Sequence, residues 1–173
     1  MMDKIAILFG PMGGNTEKVA HLVAKAFGEG KTDLIPVKDA QESDLLPYTF
    51  LIFGGPTVGT HTWSDTNQKN DWDQFMTRLY KMNLHGKTCA VFGLGDQVSY
   101  SFMFADDIGV IADHVLQAGG KLVGLVDPQG YTFDESKAFR DGKFLGLPLD
   151  EDNQPEQTPG RIDQWVGQLK TEF

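Results

Sequence analysis

Five short apolar runs alternate with amphipathic segments along the chain, and this alternation constrains the fold more than any other feature. The runs lie at residues 4–9, 32–37, 48–53, 87–92 and 121–126. Apolar runs separated by helical patterns are typical of a parallel sheet whose two faces are covered by helices. We therefore predict an α/β fold, a three-layer, doubly wound sandwich around a five-stranded parallel sheet.

The second run contains Pro36, which indicates the order of the strands. Proline cannot donate a hydrogen bond to a sheet, so this strand is expected at an edge. The order 2-1-3-4-5 satisfies that condition. In open sheets of this kind, ligands bind beyond the carboxyl ends of the strands, where the strand order reverses. The predicted crevice lies between strands 1 and 3.

The remaining segments are predicted to form helices and one excursion. Helices are expected from Asp71, over residues 108–116, and from Thr158 as a cap with Pro159 at the first helical position. Residues 127–149 are too aromatic for a disordered linker, so we interpret them as an ordered excursion that interrupts or extends the fifth strand. We expect residues 1–173 to form a single domain.

Composition narrows the classes of function. The chain has 24 acidic and 15 basic residues, a net charge of −9. Such a surface repels nucleic acid and anionic membranes and would attract a basic protein partner, although acidity can also serve solubility alone. The single cysteine, Cys89, fits a reducing compartment. Without a signal-like or membrane-spanning apolar stretch, the chain is expected to be cytoplasmic.

Three glycine-rich loops follow the first, third and fourth runs. The first, Gly-Pro-Met-Gly-Gly-Asn-Thr-Glu at 10–17, opens a helix, so its free N–H groups and the helix dipole favour a phosphate, with an ordinary connecting loop as the alternative. The other two loops begin at Gly54 and Gly93. They bring Trp63 and Tyr100, which could stack on a flat ring. Their convergence favours a ligand site.

The sequence lacks the residues that several other kinds of functional site require. The four histidines have no metal-ligand spacing with one another or with Cys89, which lies mid-strand where a nucleophile would be inaccessible. There is no Gly-x-Ser-x-Gly elbow, and the first loop lacks the Gly-Lys-Ser/Thr of a Walker loop. Glycines, not an aspartate, end the third strand, which disfavours a phospho-receiver.

Motifs along nearly the whole chain resemble those of one family, the flavodoxins of the long-chain type, which are small FMN-carrying electron-transfer proteins. The matching stretches are Gly-Asn-Thr-Glu at 14–17, Pro56-Thr57, Asp71-Trp72, Gly86-Lys87, Phe92-Gly93-x-Gly95-Asp96-Gln97 with Tyr100, Gly130-Tyr131-x-Phe133, Ser136-Lys137-Ala138 and Leu149-Asp150-Glu151-Asp152-Asn153-Gln154.

The resemblance implies a flavodoxin-like fold and a low-potential one-electron carrier with non-covalently bound FMN, not an enzyme. Residues 11–16 would hold the phosphate, residues 57–60 and 94–96 would frame the isoalloxazine, and Tyr100 would stack on its outer face. The cofactor-binding residues are then expected to be Gly10, Pro11, Met12, Gly13, Gly14, Asn15, Thr16, Pro56, Thr57, Val58, Gly59, Thr60, Trp63, Gly93, Leu94, Gly95, Asp96, Tyr100 and Met103. No metal ligands and no catalytic residues are expected.

Two departures from the family pattern affect this interpretation. Pro11 and Gly13 stand where family phosphate loops have hydroxyl residues, which would weaken phosphate binding unless other donors compensate. Val58 stands where the family commonly has tryptophan, so either Val58 or Trp63 would cover the inner flavin face. Two alternatives therefore stay open: an FMN-dependent NAD(P)H:quinone oxidoreductase, and a flavodoxin-like binding module with weakened FMN affinity.

The expected partners are basic redox proteins, a reductase and acceptor enzymes, in transient complexes with a monomer. Six aspartates in or after the loops would concentrate negative charge at the rim of the flavin site, namely Asp65, Asp71, Asp73, Asp96, Asp106 and Asp107. Part of that set is expected to serve helix N-termini.

Overall fold

The computed structural model describes residues 3–56 and 71–173. Within these ranges the chain forms strands and helices in the following order: β1 Ile5–Phe9, α1 Asn15–Phe27, β2 Thr32–Pro36, α2 Glu42–Leu45, β3 Phe50–Gly55, α3 Asp71–Leu79, β4 Thr88–Leu94, α4 Asp106–Gln117, β5 Lys121–Leu122, β6 Phe139–Arg140, β7 Lys143–Phe144, β8 Leu147–Leu149 and α5 Thr158–Glu172. Short 3-10 turns lie at Ser101–Met103 and Pro155–Gln157.

The main sheet has the order β2-β1-β3-β4-β5 with parallel pairing throughout, as predicted. Pro36 pairs with Phe9 of β1 at the outer edge of the sheet. The prediction that the strand with Pro36 lies at an edge is confirmed. The outer side of an edge strand has no neighbouring strand that would need the N–H that proline lacks.

The fifth strand is divided, and the prediction of a continuous strand over 121–126 is wrong. β5 pairs with the start of β4, whereas β8 pairs with the end of β4, from Phe92 to Leu94. Gly124 has a φ of 77°, its N–H donates to Glu172 Oε2 at 2.7 Å, and its carbonyl accepts from Trp165 Nε1 at 2.9 Å. These contacts with α5 draw the chain out of the sheet after β5, so the excursion interrupts the strand.

The excursion is ordered by its aromatic residues, as expected. β6 and β7 form an antiparallel hairpin whose turn contains Asp141 and Gly142, both with positive φ. Ring-to-ring contacts join the hairpin to Phe104, two residues before α4. The centroids are 5.2–6.0 Å apart among Phe104, Tyr131, Phe133, Phe139 and Phe144.

Helices cover both faces of the sheet. Ile5, Ile7 and Phe9 of β1 point to the face that packs against α1 and α5. Ala6 and Leu8, on the alternate positions, face α3 and α4. Burial on both faces explains why β1, β3 and the interior of β4 are continuously apolar, whereas the half-buried edge strand β2 also contains Asp33.

Two predicted helix caps lie inside their helices. α3 begins at Asp71 and α5 at Thr158, with Gln157 as the residue before the first turn of α5. The Thr158 hydroxyl donates to the Glu151 carboxylate, so it does not cap the helix. Among the described helices, none combines the length and apolarity needed to cross a membrane.

Candidate functional site

The described starts of the three glycine-rich loops lie together at the carboxyl edge of the sheet. Trp72 Nε1, at the start of α3, lies 3.1 Å from both the Gly10 and the Gly54 carbonyl oxygens and donates to them. Gly10 N–H also donates to the Gly54 carbonyl at 3.4 Å. Gly55 pairs with Gly93 of β4. The sheet therefore brings Gly10, Pro56 and Gly93 to one edge, as the predicted strand order requires.

The loop between β1 and α1 is open to solvent. Pro11, Met12, Gly13, Gly14 and Asn15 are exposed, while Thr16 is buried in the first turn of α1. The first helical hydrogen bond runs from Lys18 N–H to the Gly14 carbonyl. The N–H groups of the three residues between them have no partner within the helix, so this helix start retains free donors that suit a phosphate.

Glu17 is a member of this loop that the sequence prediction did not include among the site residues. Its Oε2 accepts the Gly13 N–H at 2.8 Å, and Gly13 has a φ of 83°. The carboxylate stabilises the positive end of α1 and fixes the glycine turn. It also places a negative charge beside the donors expected to hold phosphate.

The loop after β3 is described only at its start. Pro56 is half-buried at the end of β3. The predicted residues Thr57, Val58, Gly59, Thr60 and Trp63 lie outside the described residues, as does Asp65.

The loop after β4 is fixed by Asp96. Its Oδ1 accepts the Val98 N–H at 3.0 Å, the Ser99 N–H at 2.8 Å and the Asn153 side-chain amide at 2.9 Å. Burial works to raise the pKa of Asp96, but these hydrogen bonds outweigh it and hold the pKa below its usual range. Asp96 is thus a fixed negative charge at the edge of the crevice.

Behind Asp96 lies a polar network that the sequence prediction missed. Asp150 is fully buried and accepts hydrogen bonds from Gln97, Asp152 and Asn153. Gln97 Oε1 accepts the Thr132 N–H at 2.5 Å. The network ties the β4 loop to the excursion and to the segment after β8. The motif at 149–154 supplied the signal, but its partners lie 53 residues away.

The other predicted residues of this loop divide by exposure. Gly93, Leu94 and Gly95 are buried, and an added Cβ at Gly95 would lie 2.5 Å from the Phe104 ring. Tyr100 is 38% exposed and Met103 39% exposed. Both side chains are therefore available to a ligand or a partner.

Asp107, in the first turn of α4, corrects the prediction of an outward acidic rim. It is only 7% exposed, and an added Cβ at Gly55 would lie 3.5 Å from the Cβ of Asp107. Burial, reinforced by the charges of Asp106 and Asp73 and partly offset by Lys137, raises the pKa of Asp107 to about 7. Asp107 therefore lies buried against the carboxyl end of β3 and adds no exposed charge to the rim.

Comparison with known proteins identifies the family. A family model described as Flavodoxin matches residues 7–165. The chain belongs to the flavodoxin family. It is 42% identical to a flavodoxin of Nostoc sp. over 173 residues, which cover all of this chain and 99% of the relative. It is 41% identical to a flavodoxin of Synechocystis sp., with 98% of this chain and 97% of the relative covered.

A solved structure agrees with the fold. The flavodoxin of Fusobacterium nucleatum, solved bound to flavin mononucleotide, superimposes on this chain with a TM-score of 0.86 at 27% identity and covers 99% of both chains. The doubly wound parallel sheet predicted from the strand pattern and the flavodoxin-like fold implied by the resemblance are both confirmed.

Proposed function

We propose that this flavodoxin is a low-potential one-electron carrier with non-covalently bound FMN. The observation that carries the proposal is that the described starts of three glycine-rich loops lie at one edge of the sheet. Trp72 joins the first two of these starts through the Gly10 and Gly54 carbonyls. The full-length similarity to proteins named flavodoxin supports a carrier over the quinone oxidoreductase alternative.

The residues around the first loop fit a phosphate without hydroxyl side chains at positions 11 and 13. Backbone N–H groups at the start of α1 would hold it, aided by the helix dipole. Gly13 and Gly14 leave open space around the loop, since an added Cβ at either would meet nothing within 4 Å. Backbone donors at an open turn support FMN binding and weigh against a module that has lost it.

The β4 loop would border the flavin. Leu94, Gly95 and Asp96 lie at the end of β4, and Tyr100 offers an exposed ring. Thr57, Val58, Gly59, Thr60 and Trp63 complete the site on the strength of the sequence alone. Bound FMN supplies the one-electron chemistry.

The protein's own charges favour a low potential. Asp96 is held ionised by its hydrogen bonds at the edge of the crevice. Adding electrons to a group beside a fixed negative charge is unfavourable, because the new charge is repelled in a partly desolvated site. A carrier with this surrounding gives up its electrons readily.

Redox partners would dock where the loops meet. Met12, Val98, Phe102 and Met103 expose apolar side chains there. An apolar patch within an acidic surface suits a basic reductase or acceptor that binds transiently, with charge guiding the encounter. We further propose a single-domain monomer that acts in the cytoplasm.

A coupled assay tests the function. A basic, NADPH-dependent flavoprotein reductase is mixed with the FMN-loaded protein and cytochrome c as terminal acceptor. The carrier account predicts cytochrome reduction that needs both proteins and slows as ionic strength rises. Direct oxidation of NADPH by the protein with a quinone, without any reductase, would instead support the enzyme alternative.

A further inference from the structure

A cavity of about 480 Å³ lies between α5 and the beginning of the excursion. Its volume falls within the range of small-molecule sites and greatly exceeds the space of one water molecule. Among the residues that the structure describes, those that line it come from neither the β1–α1 loop nor the loop after β4. It is therefore a second concave site, which the proposed electron transfer does not use.

The charge of this cavity is opposite to that of the protein. Its charged lining residues are Arg161, Lys143 and Asp127, which give two positive charges and one negative. Lys143 Nζ lies 2.8 Å from Asp127 Oδ1, with both side chains substantially exposed. Such a surface ion pair is weak, so Lys143 can exchange Asp127 for an anionic ligand at little cost.

Arg161 is held rigidly at the wall of the cavity. Its guanidinium lies 4.0 Å from the centroid of the Tyr131 ring, and Nη2 donates to the Gly130 carbonyl at 3.0 Å. Nη1 is buried and has no hydrogen-bond partner among the described residues. Buried charged donors are nearly always paired, so this guanidinium, which lines the cavity, has donor capacity left for a water molecule or an anion from solution.

The rest of the lining suits a polar organic molecule. Gln129, Gln157, Gln164 and Gln168 contribute side-chain amides, and Leu125 and Val126 add a small apolar surface. Amides can donate to the oxygens and accept from the hydroxyls of a small anion.

We propose that this cavity binds a small polar organic anion through its carboxylate or phosphate group, with Arg161 as the principal contact and Lys143 as the second. The site is independent of flavin binding.

Nuclear magnetic resonance of the purified, FMN-loaded protein tests the proposal. Sodium succinate and sodium phosphate are titrated separately at constant ionic strength, with sodium chloride as the blank. We expect saturable shifts at the Gly130 amide and the Trp165 indole N–H for at least one probe. The tighter probe identifies carboxylate or phosphate as the preferred group. Shifts at neither position, or shifts confined to Gly13 and Gly14, would overturn the proposal.

Side-chain substitutions test whether Arg161 and Lys143 contact the anion. Arg161→Gln is expected to weaken binding about ten-fold or more, as lost charge-assisted hydrogen bonds generally do. Lys170→Gln, which removes a positive charge from an exposed position of the same helix, should bind as the wild type does. If Arg161→Gln does not fold, Lys143→Gln, which leaves the Tyr131 stacking intact, must weaken binding. Unchanged affinity in the folded Arg161 variant, or in Lys143→Gln where that variant replaces it, would contradict the site.

Discussion

Gln97 donates two hydrogen bonds to the same buried oxygen of Asp150, from its backbone N–H at 3.1 Å and from its side-chain Nε2 at 2.8 Å. Asp150 is fully buried, and its other oxygen accepts from Asn153 and Asp152. One carboxylate therefore holds the β4 loop against the segment that follows β8.

Replacing Asp150 with asparagine should destabilise the apoprotein by about 1–3 kcal/mol at pH 7, because an amide NH₂ would then face the Gln97 donors. Burial works to raise the pKa of Asp150, but the hydrogen bonds from Asn153 and Gln97 outweigh it and lower the pKa. A lowered folded pKa contributes stability above the unfolded value of about 3.9, and this is lost as the pH falls through the folded value.

Urea unfolding between pH 2 and pH 7 measures both effects. The gap between wild type and Asp150→Asn should narrow below about pH 4. Asp163→Asn, at an exposed position of α5, is the control and should change little. A gap that stayed constant with pH would show that the carboxylate charge has no part in the network.

The stability difference between wild type and Asp107→Asn should depend on pH in the opposite sense to that for Asp150→Asn. The folded carboxyl keeps its proton to about pH 7, whereas the unfolded one releases it near pH 4, so wild-type stability falls across that interval. The variant should lack this fall and be more stable at pH 8, by up to about 4 kcal/mol, since one pKa unit corresponds to about 1.4 kcal/mol. Urea unfolding of the apoprotein at pH 4 and pH 8 checks it; equal pH profiles would refute it.

Glu17→Gln should strengthen FMN binding and lower the stability of the apoprotein. Removing the negative charge beside the first loop should tighten FMN binding several-fold, because a carboxylate repels phosphate. The free energy of unfolding of the apoprotein should fall by about 0.3–1 kcal/mol, because the charge stabilises the start of α1. Fluorescence titration with FMN and urea unfolding measure the two quantities. Weaker FMN binding would mean that Glu17 positions the loop for phosphate.

Tyr100→Ala should weaken FMN binding by about 1–3 kcal/mol, the range found for aromatic stacking on nucleic-acid bases. It should also raise the potential for full reduction of the flavin by admitting water. Tyr80→Ala provides a matched control, since Tyr80 is an exposed tyrosine at the end of α3. Flavin fluorescence and spectroelectrochemistry supply the measurements. Equal affinities for the two variants would mean that the β4 loop does not cover the flavin.

The sheet could be predicted because its signals are local. Apolar runs mark the first four strands, and Pro36 alone places β2 at the edge. The fifth strand was predicted too long because the cause of its interruption is not local. Gly124 is drawn from the sheet by Trp165 and Glu172, more than 40 residues away.

The placement of the candidate site also follows from local signals. Glycine-rich loops after strands 1, 3 and 4 predict a site at the carboxyl edge of the sheet, and the strand order brings the described starts of these loops to that edge. The polar side chains that fix those loops depend on tertiary contacts between distant segments, as in Asp150 with Gln97. The sequence predicts Asp107 at the outer rim because its position in α4 does not reveal the neighbouring Gly55. The absence of a side chain at Gly55 leaves space in which Asp107 is buried.

FMN binding is tested most directly by identifying the chromophore that the protein releases. The protein is purified, reconstituted with excess FMN, freed of unbound flavin and denatured, and the released chromophore is quantified and weighed by mass spectrometry. Our account predicts one FMN per chain. Release of FAD from the protein as purified, or no retained flavin after reconstitution, would contradict it.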